Sequence, residues 1–272
     1  MVRVAVVKGE RGLEPVHRAL ELIPFREALE PYDTVLVKPN LITSHTYETG
    51  VTTDPIVVEA VIIKVQELGK RAVVVETTGG ITSPDRAIHE TGMMEVIERL
   101  GSEYVNMGKL KDKVELEVDA PMGVKKFKVA RLAAESPIIT VPSMKTLHST
   151  GITMGLKNMF GVLTTQRKFT LHRHGMNRVI YDICKTLPPK LSVIDGFYGK
   201  SGDGPWSGEP VKMDTVIAST DPVAADATAA RCIGLDPMTI DHVRWLSEAG
   251  IGEINDIEVV GDGIEAVYQK WG

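Results

Sequence analysis

Residues 34–76 read TVLVKPNLITSHTYETGVTTDPIVVEAVIIKVQELGKRAVVVE, and their pattern decides the fold class. Two runs within it, 34–38 and 72–76, are short and β-branched, with apolar residues at consecutive rather than alternate positions. Strands of that kind are buried on both faces, as in parallel sheets covered by helices. Between them PIVVEAVIIKVQELGK, with its apolar period and closing Gly69, predicts a helix. Asp54-Pro55 supplies its start, an acid to cap the free amides and a proline at the first helical position. The stretch is therefore a βαβ unit, the building block of α/β proteins.

Outward from this unit the theme repeats. Apolar runs at 3–7, 137–141, 191–195, 211–219 and 257–260 predict strands, and 84–100, 151–160, 177–186, 222–232 and 241–249 predict helices. Residues 112–128 alternate apolar and polar side chains around Pro121-Met122-Gly123, which predicts a β-hairpin insertion. GFYGKSGDGPWSGEP at 196–210 holds five glycines and two prolines, the composition of a surface loop. The expected architecture is a mixed, mostly parallel sheet, or sheets, flanked by helices. Residues 1–272 then form a single domain, or two intimately joined α/β lobes, because the Asp-Pro helix start recurs at Asp221-Pro222.

Composition narrows the function classes. With 43% hydrophobic and 25% charged residues the chain is ordinary for a globular protein with a substantial core. No apolar run is long enough to span a bilayer, and MVRVAVVKGE lacks the apolar centre of a signal peptide, so a cytoplasmic location and no membrane partner are expected. A net charge of −5 gives no sign of a nucleic-acid binder, which needs a basic excess. Cys184 and Cys232 both sit in apolar helical patterns and are expected to be small buried hydrophobes. Two cysteines do not ligate an iron–sulfur cluster on their own, since such clusters usually take four. Three Gln and five Asn against 67 formal charges fit a heat-adapted source.

Candidate chemistry gathers at strand ends, where open α/β sheets bind ligands. Lys38-Pro39-Asn40 leaves one predicted strand, Glu76-Thr77-Thr78-Gly79-Gly80 a second and Asp195-Gly196 a third. Lys145 and His148 follow the strand ending at Val141, with Gly151, Gly155 and Gly161 nearby, a composition suited to an anion cradle. KNMFGVLTTQRKFTLHRH at 157–174 then crowds Lys157, Arg167, Lys168, His172, Arg173 and His174 into one segment of an acidic chain. The His172-x-His174 pair, placed on a strand, sets both rings on one face as candidate ligands of a divalent metal, with Asp195 or Glu76 to complete the set. In Gly202-Asp203-Gly204-Pro205, Asp203 is either a turn former or a loop carboxylate approaching the ligand, and Trp206 beside it a cover.

The ordered series VKPNL, TDP, TGG, KTLH, GLKNMFG, VIDG, GDGP and STDPVAADA resembles the bacterial and archaeal family called domain of unknown function 362, from about Val35 to Gly252. Many members of that family carry an added ferredoxin module and are labelled iron–sulfur proteins; this chain has no such cysteine array. By position the resemblance marks Lys38, Asn40, Lys145, His148, Lys157, Asn158, Asp195, Asp203, Asp221 and Asp226. A more distant similarity is to the nickel-pincer lactate racemases, in which a lysine binds a pyridinium cofactor, a glycine follows, and a metal-ligating histidine comes later. Lys157, Gly161 and His172 or His174 are similar to that arrangement, with His148 upstream in the place of an acid/base, although those enzymes' arginine-proline motif is absent.

These observations converge on an enzyme acting on a small anionic molecule. Lys38, Asn40, Lys145, Asn158 and Asp203 are its candidate substrate-binding residues, and His148, Lys157 and Asp195 its candidate catalytic residues, His148 as general acid/base. His172 and His174 remain the candidate metal ligands. Two alternatives stand beside it: a non-catalytic or electron-transfer module docking a separate ferredoxin-type partner through the same basic surface, and a racemase-like enzyme with a lysine-linked nickel-pincer cofactor. Self-association as a homo-oligomer is open.

Overall fold

The βαβ unit forms as its sequence dictates. Strand β1 is Val2–Lys8, β2 Thr34–Pro39 and β3 Arg71–Glu76. The last two pair in parallel, Val35 with Ala72 and Val37 with Val74, joined by the Pro55–Glu67 helix. Asp54 caps that helix, its Oδ1 accepting from the Ile56 amide at 3.0 Å. Along β2 and β3, Val35, Val37 and Val74 enter one hydrophobic cluster while Leu36, Val73 and Val75 enter another, so both faces of the sheet are covered. That double burial is why the runs are continuously apolar.

The remaining strands are β4 Glu103–Asn106, β5 Lys113–Glu117, β6 Lys126–Ala130, β7 Ile138–Val141, β8 Ser143–Leu147, β9 Gly151–Thr153, β10 Leu191–Ser201, β11 Glu209–Ser219 and β12 Ile257–Gly261. This computed structural model describes residues 1–77, 82–165, 168–204 and 207–271; Thr78, Gly79, Gly80, Arg167, Pro205 and Trp206, named above, lie outside them. Strand order in the main sheet is β12-β1-β11-β10-β7-β2-β3-β4, with β8 beside β10 and β9 beside β8. On that main path only β11 runs against its neighbours. β5 and β6 form the expected antiparallel hairpin, Leu116 opposite Phe127. The fold is thus a mixed, mostly parallel α/β sheet flanked by helices, with a separate hairpin. Among the described residues no helix is long and apolar enough to cross a membrane.

Four local expectations are corrected. The 196–210 segment is largely a hairpin: β10 continues to Ser201, which pairs with Glu209. Its glycines serve close packing, since a Cβ on Gly199 would sit 2.8 Å from the Met144 carbonyl and 3.0 Å from Trp271 Cζ2. The 151–160 segment is not one helix. Gly151, at φ +74°, turns the chain from β8 into β9, and a short Gly155–Asn158 helix follows. The 84–100 stretch divides into Pro84–Glu90 and Met93–Arg99 helices, because Gly92 at φ +75° ends the first. Finally, the segment carrying Lys145 is strand β8 rather than a connection. The pattern also left unassigned four α-helices, Leu13–Glu21, Phe25–Leu29, Arg131–Glu135 and Ile264–Val267, and the edge strand β4.

Candidate functional site

A cleft of about 90 Å³ opens at the carboxyl ends of β2 and β3, lined by Lys38, Asn40, Glu76, Lys157, Asn158 and Lys168 among others. Lys38 and Glu76 arrive there because each is the last charged residue of a buried strand. Lys38 Nζ lies 2.9 Å from Glu76 Oε2 and also donates to the Pro39 carbonyl at 3.1 Å and Asn158 Oδ1 at 3.3 Å. The ammonium is 1% exposed, and such burial is tolerated only with this degree of pairing. Gly161 makes the pair possible: a Cβ there would lie 2.5 Å from Lys38 Cε and 3.0 Å from Glu76 Oε1.

Asn158 is the joint between strand and helix. Its Nδ2 donates to the Lys38 carbonyl at 2.9 Å and to Thr140 Oγ1 at 2.8 Å. The short helix that carries Lys157 and Asn158 is held from beneath by Asp226, which accepts from the Gly155 amide at 2.8 Å and the Leu156 amide at 3.0 Å. Asp226 is fully buried and has no cationic partner among the described residues, and burial pushes its carboxyl up to about 7. On the opposite wall Lys168 donates to Thr77 Oγ1, and Thr77 donates to the Gly161 carbonyl.

Charge in the cleft does not balance. Glu76 pairs with Lys38, whereas Lys168 has only a neutral hydroxyl, and Lys157 has no hydrogen-bond or ion-pair partner among the described residues. Burial lowers Lys157 to about 8. It also lowers Lys168 to about 8, with Glu76 opposing and Lys38 assisting. Behind the cleft Lys145 donates to Asn40 Oδ1 and to the Val51 carbonyl, both at 2.7 Å. Burial, then Lys157 nearby, brings Lys145 down to about 7.

The structure therefore brings together Lys38, Asn40, Lys157 and Asn158, with Lys145 reaching them through Asn40. Asp195 stands in a layer behind, accepting from the Asp54 amide at 2.8 Å and the Phe197 amide at 3.1 Å; burial, then the Asp54 carboxylate, raises it to about 7. His148 and Asp203 lie elsewhere, in a groove of about 380 Å³ with Leu147, Gly202 and Trp271. There Asp203 Oδ1 accepts from the His148 amide at 3.0 Å. Residues Lys168–His174 form a 3-10 helix, not a strand, so the shared strand face expected for His172 and His174 does not exist. His172 packs edge-on to Phe160, and His174 Nε2 accepts from Arg173 Nε at 3.4 Å. Among the described residues no three His, Cys, Asp or Glu side chains gather as a metal ligand set.

Glu76, Thr77, Lys168 and Asp226 complete the arrangement. Glu76 carried a visible signal, a charged residue closing a buried strand, and Lys168 one in its basic run; Thr77 and Asp226 depend on contacts between segments far apart in sequence.

Two comparisons with known proteins bear on this site. A curated relative, the thylakoid-associated protein sll1697 of Synechocystis sp. (strain ATCC 27184 / PCC 6803 / Kazusa), is 27% identical over 233 residues, covering 82% of this chain and 70% of the relative. The model of the family described as domain of unknown function (DUF362) matches residues 35–231, a span that contains both strand-end residues, the Gly155–Asn158 helix and Asp226, and so the chain belongs to that family.

Proposed function

We propose that the cleft binds a small anion carrying a carboxylate or phosphate group, and that the protein is an enzyme acting on it. One observation carries this reading: Lys157, half-buried, and Lys168, buried, line the cleft with no carboxylate paired to either among the described residues. A buried ammonium without a counter-charge costs several kcal/mol, and an anionic ligand removes that cost. Asn40 supplies a carboxamide N–H to orient it, while Asn158, its amide hydrogens engaged by the Lys38 carbonyl and Thr140, lines the cleft and holds its frame. The recessed position of these lysines, Lys168 buried and Lys157 half-buried, favours a small ligand over a docked redox partner, which an exposed basic surface would attract.

The test is thermal unfolding and calorimetry with oxalate and inorganic phosphate. A ligand that binds only the native state raises the midpoint in proportion to RT ln(1 + [L]/Kd). Wild type is expected to be stabilised, and Lys157→Met and Lys168→Met to lose most of the effect while staying folded. Absence of stabilisation by either anion at millimolar concentration would remove the proposal. Binding that collapses steeply with ionic strength would instead favour the partner-docking module.

A second reading has its own support. Lys157 carries an unengaged amine four residues before Gly161, and its charge, after burial, lowers the nearby His172. Those residues fit a lysine-linked pincer group, with Lys157 as the attachment and His172 on the metal side. Such a group, when bound, supplies a pyridinium ring and a nickel ion. A mass excess on Lys157 that survives denaturation, with nickel in the same sample, would establish it. Cytoplasmic residence belongs to the same proposal, supported by two buried, unpaired cysteines, and fractionation checks it.

A further inference from the structure

Lys157 differs from every other lysine at the cleft. Lys38 donates to a carboxylate, a carbonyl and a carboxamide, Lys145 to a carboxamide and a carbonyl, and Lys168 to a hydroxyl. Only Lys157, among the described lysines that line or adjoin the cleft, can release a proton without breaking a bond. It faces the cleft beside Phe160, Leu41 and Ile42, an apolar wall, and shares the space with two further ammoniums. A lysine in a desolvated pocket beside other cations is the setting in which an amine becomes a nucleophile.

We propose that Lys157 condenses with the carbonyl carbon of a small 2-oxo acid whose carboxylate is held by Lys168. This rests on the anion-binding reading above and names its substrate class. Lys157 Nζ, as the neutral amine, donates its lone pair to the carbonyl carbon, and the C=O π pair moves to oxygen. The carbinolamine oxygen takes protons, one from the nitrogen by way of cleft water and one from the Lys168 ammonium, and leaves as water. Nitrogen's remaining pair closes the C=N bond, giving a cationic iminium with no oxidant or reductant consumed. Burial alone brings the Lys157 ammonium to about 8, so a usable fraction is neutral at physiological pH. The iminium then draws electrons from the adjacent C3 carbon, which is what proton abstraction at that carbon requires.

The experiment is intact and peptide mass measurement after incubating the protein with pyruvate and sodium cyanoborohydride, alongside oxalate calorimetry as a measure of anion binding without a ketone. Expected is one reduced pyruvate adduct on Lys157, suppressed by oxalate. In Lys157→Arg, which keeps the charge and lacks the nucleophile, the adduct is lost while oxalate still binds; should Arg disturb the fold, peptide mapping of the wild-type adduct to Lys157 or to another lysine decides the assignment. Wild type that binds oxalate but gains no adduct, or adducts spread over surface lysines unchanged in Lys157→Arg, overturns the imine and leaves the anion site standing. Wild type that neither binds oxalate nor gains the adduct overturns the two readings together. A covalent group already on Lys157 in freshly purified protein also overturns the imine, because the amine is then occupied.

Discussion

Gly161 shows how much of the site hangs on the absence of one methyl group. Its backbone passes so close to Lys38 and Glu76 that Gly161→Ala must displace the Lys38 ammonium or the turn itself. The variant is expected to stay folded by circular dichroism while oxalate affinity falls roughly ten- to hundredfold, about the 1.5–3 kcal/mol of a hydrogen bond to a charged group. The lysines set a pH window. Anion binding needs the ammonium form, and burial brings Lys157 and Lys168 to about 8. Oxalate affinity measured by calorimetry should therefore be highest below that pH and decline as pH rises through it. At this scale the sequence is partly legible. Lys38 and Glu76 are visible because a charged residue closing an apolar strand has nowhere to go but the sheet edge. His148 is not, for it lies three residues beyond Lys145, and β8 buries Lys145 while the following turn carries His148 out to another groove.

The short Gly155–Asn158 helix is too brief to be stable by its own hydrogen bonds. What holds it is Asp226 on the Pro222–Cys232 helix, with Cys184 Sγ donating to the Leu156 carbonyl at 3.3 Å. Asp226→Ala leaves two buried amides without acceptors, and unfolding in urea is expected to show a loss of about 1–3 kcal/mol per unpaired group. Its pH dependence has a definite sign. The native carboxyl is raised to about 7 from an ordinary value of 3.8, so the native state keeps a proton that the unfolded chain has lost. Stability from this group is complete below about 4 and is lost as pH rises through about 7. In Asp226→Asn the fall in urea midpoint between those limits should shrink; Asp195, raised by burial and Asp54, keeps part of it. Elements with a strong period were legible: the 55–67 helix and the β5–β6 hairpin follow from spacing alone. The 155–162 turn and the 168–174 helix were not, because their conformation is imposed by partners remote in sequence, Asp226 in one case and Thr77 in the other.

Across the whole molecule, the layered α/β class was plain from continuous apolar strands, but the strand order was not. Nothing in VRVAVVK announces that β1 lies between β11 and β12 rather than beside β2. One of the two hydrophobic clusters that this order creates seals both cysteines: Cys184 and Cys232 are fully buried and unpaired, and burial raises both thiols, Cys232 to about 12. A thiol-reactive disulfide reagent is expected to label neither in the native protein and both in urea; prompt labelling without denaturant would mean the layers open far more readily than their packing implies. The position of β1 also matters before the fold exists. Val4 pairs with Ser219 and Val259, so both ladders of this strand join residues more than two hundred positions apart. On the ribosome, β1 emerges some two hundred residues ahead of its partners β11 and β12 and waits with both edges unpaired and four consecutive core side chains, Val4 to Val7, uncovered until those strands have been made. The strand at the heart of one half of the finished sheet is thus the segment most in need of protection during synthesis.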